Sequence, residues 1–340
     1  MRAAQWRSIA GGIEKNLKPT TSASLPKPAS SLPKDHTLIR VAYASLNHLD
    51  YKVAEAPLGS ALLSKPATPG LDFSGTVVAT TLSHLRPGQR VFGRTEPGAS
   101  GGGTLAEYVV VGKAGVAALP AGVSLRDAAC VGTCGVAALQ GLAPFVKPGD
   151  KGLVNGGSGG VGVFAIQVAK ALGCRHVTAV CSARNAELCR SLGADDVIDY
   201  QVEDVVAVLK RRGEVYDHIL DTVFVDPGLY WQCHHYLKPG GMYVSVGLPL
   251  KFKTFRSLLA KYLLPGFLGG GKRGFKFHGV TGNPGHFAQV AQWIEEGKVK
   301  TVIEEEFDLE DAGKAYGRLK AGRTVGKLVA RVTGDTGVTG

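Results

Sequence analysis

Residues 152–173 read GLVNGGSGGVGVFAIQVAKALG, and this stretch decides the fold of the chain. A short apolar run, a cluster of glycines and apolar residues at helical spacing predict a strand, a tight turn and a helix. Gly157, Gly159 and Gly162 match the G-x-G-x-x-G pattern, in which glycines let the backbone approach a pyrophosphate at a helix N-terminus. Because the chain has 47 glycines, an ordinary glycine-rich turn is the alternative. As a dinucleotide loop, the stretch contacts the cofactor through Gly157, Ser158, Gly159, Gly160, Val161 and Gly162.

The chain of 340 residues is long enough for two domains, since single cores stop growing at about 250–300 residues. Up to residue 123, strand patterns alternate with turns and without helices, which predicts a mostly antiparallel β domain. From residue 124, strands alternate with helices, which predicts an α/β domain with a doubly wound parallel sheet. The tail is expected to rejoin the β domain, so that residues 1–123 and 297–340 form one domain and residues 124–296 the other.

Four segments within this scheme carry more specific predictions. We expect a surface loop at residues 18–34, because this segment is rich in Pro, Ser and Lys. Strands are expected at residues 37–44 and 105–111, and one helix is expected over residues 125–142.

Net charge and cysteine usage narrow the functional classes. The formal net charge of +11 suits an anionic ligand, an anionic membrane surface or nucleic acid, but the basic residues are dispersed, which disfavours nucleic acid. The six cysteines include no C-x-x-C pair, so we expect reduced, mostly buried thiols. The N-terminus shows no targeting pattern, and no apolar run reaches the roughly 18 residues of a spanning helix. We therefore expect a cytoplasmic protein without a nucleic-acid partner.

The residues after the second strand of the dinucleotide unit bear on the choice of cofactor. NAD sites place an acid there to bind the ribose 2′-hydroxyl, whereas NADP sites carry neutral and basic groups. Here the strand runs into CSARN at residues 181–185, without an acid. Ser182 is able to hydrogen-bond a 2′-phosphate, Arg184 to clamp it, and Asn185 follows in the same turn. The sequence favours NADPH, with a solvated Arg184 at the helix start as the alternative.

Several segments, in order along both domains, resemble one protein family. They are ASLNHLDYK at residues 44–52, PGLDFSG at 69–75, GGGTLAEY at 101–108, the glycine loop, CSARNAELCRSLGADDVIDY at 181–200 and GKVKTVIEEEFDLEDAGKAYGRLKAGRTVGKLV at 297–329. Over nearly its whole length the chain resembles the zinc-free quinone oxidoreductase branch of the medium-chain dehydrogenase/reductase superfamily. The resemblance implies a GroES-like β domain, a Rossmann NADPH domain, a homodimer, and reduction of enones, enals, enoyl compounds or quinones.

The resemblance also implies site residues and metal-free chemistry. Zinc members of the superfamily carry Gly-His-Glu where this chain has Gly70, Leu71 and Asp72, and residues 93–103 lack the cysteines of a structural zinc site. A family threonine near the nicotinamide ribose is Ala137 here, so Thr133, one helical turn earlier, is expected to substitute. Tyr200 matches a position at the 2′-phosphate. Other positions matching cofactor contacts, each with packing as the alternative, are Val223, Gly247, Leu248 and Lys327.

The catalytic candidates follow from the chemistry of hydride transfer, in which the protein positions and polarises the substrate. A hydride added to the β carbon of an α,β-unsaturated carbonyl builds negative charge on oxygen, which needs a hydrogen-bond donor. Asn47, in a loop that the family places at the nicotinamide, is the first candidate, with an Asx-turn or helix N-cap as an equal alternative. Tyr51 and Lys52 lie on the same loop and are able to donate, although core packing for Tyr51 and solvation for Lys52 are favoured. No nucleophile-base-acid triad is evident, which argues against hydrolysis.

Residues 250–277, LKFKTFRSLLAKYLLPGFLGGGKRGFKF, combine basic and apolar residues without an acid. Such a stretch suits a cover over the substrate cleft, an oligomer contact or an anionic membrane surface, and the sequence leaves all three open. The adjacent His234 and His235 are expected to point to different faces of a helix, which disfavours a metal site. The predicted function is an NADPH-dependent, zinc-independent reductase; the alternative is a non-catalytic NADPH-binding redox sensor or peripheral membrane protein.

Overall fold

The computed structural model describes residues 1–26, 29–56, 59–96, 102–224, 227–246 and 271–334. Contacts divide the chain into two units. Unit 1 comprises Met1–Val136, Thr281–Gly297 and Thr301–Gly340, and unit 2 comprises Ala137–Val280 and Lys298–Lys300. Gly247, Leu248 and most of the basic segment at residues 250–277 lie outside the described residues, so the predictions for them stay predictions.

Strands and helices are numbered along the chain. The strands are β1 Ala3–Gln5, β2 Lys18–Thr20, β3 His36–Ser45, β4 Asp72–Thr80, β5 Arg90–Arg94, β6 Tyr108–Gly112, β7 Val116–Ala118, β8 Lys151–Asn155, β9 His176–Cys181, β10 Asp196–Asp199, β11 Tyr216–Asp221, β12 Leu237–Ser245, β13 Gly274–Phe277, β14 Ile303–Asp308 and β15 Lys327–Arg331. The helices are α1 Ile13–Asn16, α2 His48–Glu55, α3 Gly59–Leu62, α4 Leu125–Ala128, α5 Val136–Leu142, α6 Gly160–Ala171, α7 Ala186–Ser191, α8 Val205–Arg212, α9 Gly228–Trp231, α10 Pro284–Glu295 and α11 Ala312–Lys320. A π-helical turn, Val131–Gly135, joins α4 to α5.

Unit 1 is built on a sheet of strand order β14-β15-β3-β4-β5-β7, with β6 also paired to β3. Its pairs are antiparallel except for β14 with β15. Ser45 at the end of β3 lies opposite Asp72 at the start of β4 and opposite Val329 of β15. This register brings three distant parts of the sequence to one end of the sheet, over a core that includes the fully buried Ile39 and Phe73.

Unit 2 is a parallel sheet of order β10-β9-β8-β11-β12-β13. Counted from β8, this is the order 3-2-1-4-5-6 of the Rossmann fold, with the switch point between β8 and β11. Central strands are apolar on both faces, as in sheets covered by helices, and Leu153, Val180 and Ile219 are at most 2% exposed. The predicted α/β fold with a doubly wound parallel sheet is confirmed.

The β-rich part of unit 1 contains helices that sequence analysis did not predict. The expectation of no helix before residue 120 is wrong, because α1, α2 and α3 lie between its strands. Tyr51 and Lys52 therefore lie on α2 rather than on a loop, and Asn47 immediately precedes it. The expected loop at residues 18–34 begins with β2, which pairs antiparallel with β1 despite its Lys-Pro-Thr sequence.

Two further segments differ from their predicted structure because of tertiary contacts. The strand expected at residues 105–111 is β6, Tyr108–Gly112; the N–H of Leu105 donates instead to the carbonyl of Pro69 at 3.1 Å. The helix expected over residues 125–142 is interrupted by the π-helical turn. A Cβ on Gly132 in that turn would lie 2.4 Å from the carbonyl oxygen of Gly93, so glycine permits close contact with β5.

The chain passes from unit 1 to unit 2 after Val136 and returns after Val280, compared with the expected boundaries near residues 123 and 296. α4 packs on β3, β4 and β5, and α10 packs on β7. Because these strands belong to unit 1, both helices belong to unit 1 as well. All six cysteines are free and buried, as predicted. No helix within the described ranges is both long and apolar enough to cross a membrane.

Candidate active site

The glycine loop of unit 2 joins β8 to α6 and is attached to β9. The N–H groups of Gly156 and Gly157 both donate to the carbonyl of Val180, at 3.1 and 2.9 Å. Gly156 has a φ of +82°, and a Cβ on Gly162 would lie 2.1 Å from the carbonyl oxygen of Gly156. A side chain at either position would force the turn open, so glycine is required at both.

One face of this loop has room for a ligand. A Cβ on Gly159 would meet no atom nearer than the carbonyl oxygen of Gly156, at 3.5 Å. The N–H groups of Gly160, Val161 and Gly162 are in the first turn of α6, where helix geometry provides them with no intrahelical acceptor. These amides and the helix dipole favour an anion. The predicted loop residues therefore fit the pyrophosphate of a dinucleotide.

The turn after β9 is linked to the glycine loop. Asn185 donates from Nδ2 to Oγ of Ser158 at 2.9 Å. Ser182 is buried and Arg184 is exposed at the start of the turn that leads into α7. The N–H of Tyr200, directly after β10, donates to the last carbonyl of β9 at 3.3 Å, and the Tyr200 side chain is exposed. The residues predicted for a 2′-phosphate thus lie together at the carboxyl ends of neighbouring strands.

A buried carboxylate that sequence analysis missed organises the segment after β11. Asp221 accepts hydrogen bonds from the N–H groups of Val223 and Phe224, at 3.0 and 2.9 Å. The amide of Asn155 and the hydroxyl of Tyr243 also donate to Asp221, at 2.9 and 2.5 Å. Phe224 is held at a φ of +45°, which non-glycine residues rarely adopt. Val223, a predicted cofactor contact, is 46% exposed beside it.

Asn47 occupies the N-cap position of α2 in the interior of unit 1 and is 5% exposed. Its backbone N–H donates to Oδ2 of Asp50 at 2.8 Å. Its amide Nδ2 donates to Oδ2 of Asp72 at 2.9 Å and to the carbonyl of Ser45 at 3.3 Å, while its Oδ1 accepts from Nζ of Lys327 at 2.7 Å. Both interpretations of Asn47 made from the sequence, helix cap and polar site, are therefore compatible with its position.

Asp72 connects the predicted residues of this cluster to one another and is itself fully buried. Its Oδ1 accepts from Oγ1 of Thr133 at 2.6 Å, and its Oδ2 accepts from Oγ of Ser45 at 3.3 Å. The ammonium of Lys327 lies 3.8 Å from the same Oδ2. Sequence analysis used Asp72 only as a departure from the zinc motif. An acid between the apolar residues Leu71 and Phe73, at the start of a strand, is the sequence signal that identifies it.

Lys327, the first residue of β15, is 2% exposed. Its ammonium donates to the carbonyl of Leu46 at 3.0 Å, to Oδ1 of Asn47 at 2.7 Å and to Sγ of Cys134 at 3.4 Å. Burial lowers the pKa of Lys327, but the neighbouring Cys134 and Asp72 raise it, and the net direction is upward. Lys327 is therefore a charged ammonium whose three protons are all directed at groups of unit 1.

Tyr51 and Lys52 are both half-buried on α2. The Tyr51 ring packs edge-on against Tyr316, with centroids 6.5 Å apart, and Nζ of Lys320 lies 5.3 Å from its centroid. Burial raises the pKa of Tyr51, so its phenol keeps its proton at neutral pH. Burial lowers the pKa of Lys52, which makes no hydrogen bond or ion pair to the other residues that the structure describes.

A cavity of about 980 Å³ lies within unit 1, and Trp6, Leu49, Asp50, Val53 and Leu71 contribute to its wall. Its volume is that of a small-molecule pocket. Asp50 lies between this cavity and the polar cluster, since its Oδ2 also bonds the backbone of Asn47. The wall of this cavity also includes polar and charged residues, among them Arg7, Asn16 and Glu96, and unit 1 contains both the cavity and the polar cluster.

Comparison with known proteins assigns the family. The family model "Alcohol dehydrogenase GroES-like domain" matches residues 33–121, and "Zinc-binding dehydrogenase" matches residues 192–329. A trans-enoyl reductase of Aspergillus terreus is 42% identical over 345 residues, with 98% of this chain and 96% of the relative covered. The chain belongs to the medium-chain dehydrogenase/reductase superfamily.

Further relatives of this superfamily member are quinone oxidoreductases. A chloroplastic quinone-oxidoreductase homologue of Spinacia oleracea is 30% identical over 345 residues, with 97% of this chain and 98% of the relative covered. The structure of the quinone oxidoreductase from Coxiella burnetii matches with a TM-score of 0.82 and 29% identity, covering 98% of this chain and 99% of that one. The resemblance to the quinone oxidoreductase branch is confirmed, and this superfamily member is an oxidoreductase with a GroES-like and a Rossmann-like domain.

The name of one matched family model raises the question of zinc in this superfamily member. Asp72 and Cys134 supply a carboxylate and a thiol close to Lys327, whose ammonium lies 3.8 Å from the carboxylate and 3.4 Å from the sulfur, and Cys130 and Asp50 also interact with its charge. Burial raises the pKa of Cys134, which disfavours the thiolate that zinc needs. Across the described parts of the chain, no group of three or more His, Cys, Asp or Glu side chains could hold a metal ion. The residues of the cluster therefore do not fit zinc.

The histidine pair of this superfamily member differs from its prediction. His234 and His235 lie in the short 3-10 turn Cys233–His235, and their ring centroids are 4.0 Å apart. The expectation that they point to different faces is wrong, because the tight turn places the two rings side by side. Nζ of Lys272 lies 3.4 Å from Nε2 of His234, so an ammonium group lies beside this pair.

Proposed function

We propose that the chain is an NADPH-dependent reductase of activated double bonds, acting on enones, enals, enoyl compounds or quinones without zinc. The observation that carries the proposal is the composition of the polar cluster in unit 1. Asn47, Asp72, Thr133 and Lys327 supply an amide, a carboxylate, a hydroxyl and an ammonium, which provide hydrogen bonds and charge but no Lewis acid. The names of the relatives, trans-enoyl reductase and quinone oxidoreductase, support the same class of electron-poor acceptor.

The proposed reaction needs a donor at the oxygen of the substrate. NADPH, when bound, supplies the hydride, and in an enone the negative charge then develops on the carbonyl oxygen. Asn47 is the proposed donor to that oxygen, because the 3.3 Å bond from Nδ2 to the Ser45 carbonyl is the longer of its two amide bonds. Lys52, which lacks a described partner, and the protonated phenol of Tyr51 are the proposed further donors.

The preference for NADPH is proposed on the residues at the ends of β9 and β10. Ser182, Arg184, Asn185 and Tyr200 offer hydroxyl, guanidinium and amide groups, and residues 181–185 contain no carboxylate to bind a free 2′-hydroxyl. A guanidinium binds phosphate through two parallel hydrogen bonds, so Arg184 is a suitable residue to bind a 2′-phosphate. The homodimer and the cytoplasmic location stay predictions from the sequence.

The test measures cofactor oxidation by wild type and Arg184→Ala with an enone series and a quinone series. Wild type should oxidise NADPH faster than NADH. Arg184→Ala should raise the KM for NADPH by about tenfold or more and leave that for NADH nearly unchanged, since a bidentate charged contact is lost. Arg190→Ala, which removes an exposed arginine of α7, is the matched control and should change neither value.

Three outcomes would contradict the proposal. Equal losses with both cofactors in Arg184→Ala would show that the 2′-phosphate lies elsewhere. Tight NADPH binding without turnover of any acceptor would favour the non-catalytic alternative. Oxidation of simple alcohols that depends on added metal would indicate a zinc-type dehydrogenase.

A further inference from the structure

The ammonium of Lys327 and the carboxylate of Asp72 fix the orientation of the Asn47 amide. The cation lies 2.7 Å from Oδ1 of Asn47, and the anion accepts from its Nδ2 at 2.9 Å. Turning the amide over would place its NH₂ group against the ammonium and its oxygen against the carboxylate. Opposite charges at the two ends therefore allow only one orientation, in which both N–H bonds point away from Lys327.

The same arrangement polarises the amide. A cation bonded to an amide oxygen draws electron density from the nitrogen and strengthens its N–H donors, an effect that grows where water is excluded. Asn47 and Lys327 are 5% and 2% exposed, so the interaction is poorly screened. One of the two N–H bonds is engaged by Asp72, and the other makes only the 3.3 Å contact with the Ser45 carbonyl.

We propose that Lys327 is a positioning residue that acts through Asn47, orienting and polarising its amide so that the second N–H binds the developing oxyanion of the substrate. The inference rests on the proposed function, and it gives Lys327 a role different from the cofactor contact implied by resemblance. The three ammonium protons support this role, because Leu46, Asn47 and Cys134 accept all of them. A phosphate of the cofactor would have to displace one of these partners.

The test separates cofactor binding from hydride transfer in Lys327→Met and Lys327→Arg. Lys327→Met should leave the Kd for NADPH, measured by fluorescence titration, within about twofold of wild type, since no cofactor contact is removed. It should slow single-turnover hydride transfer to an enone by about tenfold or more, the size expected when an oxyanion donor is weakened. Lys327→Arg retains the cation and should recover part of that rate.

A double-mutant cycle with Asn47→Ala tests whether the effect passes through the amide. Once the amide is absent, Lys327→Met should add little to the loss caused by Asn47→Ala. Losses that multiply would show that Lys327 acts independently of Asn47. An increase of about tenfold in the Kd for NADPH with an unchanged rate of hydride transfer would show a cofactor contact and overturn the inference.

The melting temperature and the circular dichroism spectrum of every variant are measured to check that it is folded. Lys327→Met leaves Asp72 as a buried charge without its cation, so Lys327→Met/Asp72→Asn, which removes both charges, replaces it if the single variant does not fold. Because Asp72→Asn also removes one of the two charges that orient the amide, the double variant is compared with Asp72→Asn alone, and the same pattern of Kd and rate is expected relative to that variant. A wild type without turnover would refute the proposed function, whereas a wild type with turnover and a Lys327→Met rate equal to it would refute this inference alone.

Discussion

Asp50 is a buried carboxyl group of unit 1, 8% exposed, at the first turn of α2. Its Oδ2 accepts from the N–H of Asn47 and from the hydroxyl of Tyr316, at 2.8 and 3.0 Å. Its Oδ1 is buried and has no hydrogen-bond partner among the described residues. Burial raises the pKa of Asp50 from 3.8 to about 7, the charge of Asp72 adds to this, and the hydrogen bonds and Lys327 oppose it. The residue therefore changes charge near neutral pH.

The raised pKa of Asp50 predicts a pH-dependent stability. Between about pH 4 and pH 7 the Asp50 side chain holds a proton in the folded chain that it has released in the unfolded chain, so the contribution of Asp50 to stability falls as pH rises through this window. Since each pKa unit corresponds to about 1.4 kcal/mol, the full loss is on the order of 4 kcal/mol. Asp50→Asn, a neutral isostere, should abolish this loss and be more stable relative to wild type at pH 8 than at pH 4.

Denaturant unfolding of wild type and Asp50→Asn over this pH range measures the effect. Glu305→Gln, which neutralises an exposed carboxylate on β14, is the control and should follow the wild-type profile. A constant difference in unfolding free energy between Asp50→Asn and wild type at all pH values would contradict the assignment.

Single residues also mark the limit of what the sequence predicts. Asn47 is predicted from its place after a strand, in a loop that the family places at the nicotinamide, and this position is visible in the local sequence. Its partners Asp72 and Lys327 are 25 and 280 positions away along the chain. Only the register of β3 with β4 and β15 brings them together, and a single sequence does not specify that register.

At the scale of elements, the dinucleotide unit was the most predictable part. The strand, tight turn and helix predicted within residues 152–173 are β8, the glycine loop and α6, because apolar periodicity and glycine placement specify these elements locally. The π-helical turn was not predicted, since its residues continue a helical pattern. Within this turn, Gly132 packs closely against Gly93 and Asp72: a Cβ at this position would lie 2.4 Å from the Gly93 carbonyl oxygen and 2.8 Å from Oδ1 of Asp72.

The glycine loop offers a matched pair of substitutions. Gly162→Ala would place a Cβ 2.1 Å from the Gly156 carbonyl oxygen, so we expect it to destabilise the fold by about 1–3 kcal/mol and to abolish NADPH binding. Gly159→Ala has 3.5 Å of clearance and a φ of −80°, so its stability should stay within about 0.5 kcal/mol of wild type. It should nevertheless weaken NADPH binding, because its methyl group would occupy the space proposed for the pyrophosphate.

Thermal unfolding and NADPH titration of both variants separate these roles. Wild-type affinity in Gly159→Ala would place the pyrophosphate away from this residue. Wild-type stability in Gly162→Ala would show that the close approach to Gly156 is not required.

At the scale of the whole molecule, the name of one family model suggests zinc binding, whereas the side chains of the polar cluster do not suit a zinc site. The "Zinc-binding dehydrogenase" model matches residues 192–329. This range of the sequence contains one of the six cysteines, Cys233. The match thus identifies the superfamily, whereas metal binding depends on donors at particular positions. In unit 1 an ammonium is bonded within the polar cluster, and a zinc ion there would face its charge at short range.

The purified enzyme is therefore expected to contain far less than one zinc ion per chain and to keep its full NADPH-dependent turnover after dialysis against a strong chelator. Elemental analysis and the enone assay, before and after chelation, measure both quantities. A zinc alcohol dehydrogenase treated in parallel serves as control for removal of the metal and should lose activity. Stoichiometric zinc, together with a loss of turnover that added zinc restores, would show that the cluster of Asn47, Asp72, Cys134 and Lys327 rearranges around a metal ion, and the metal-free mechanism would then be wrong.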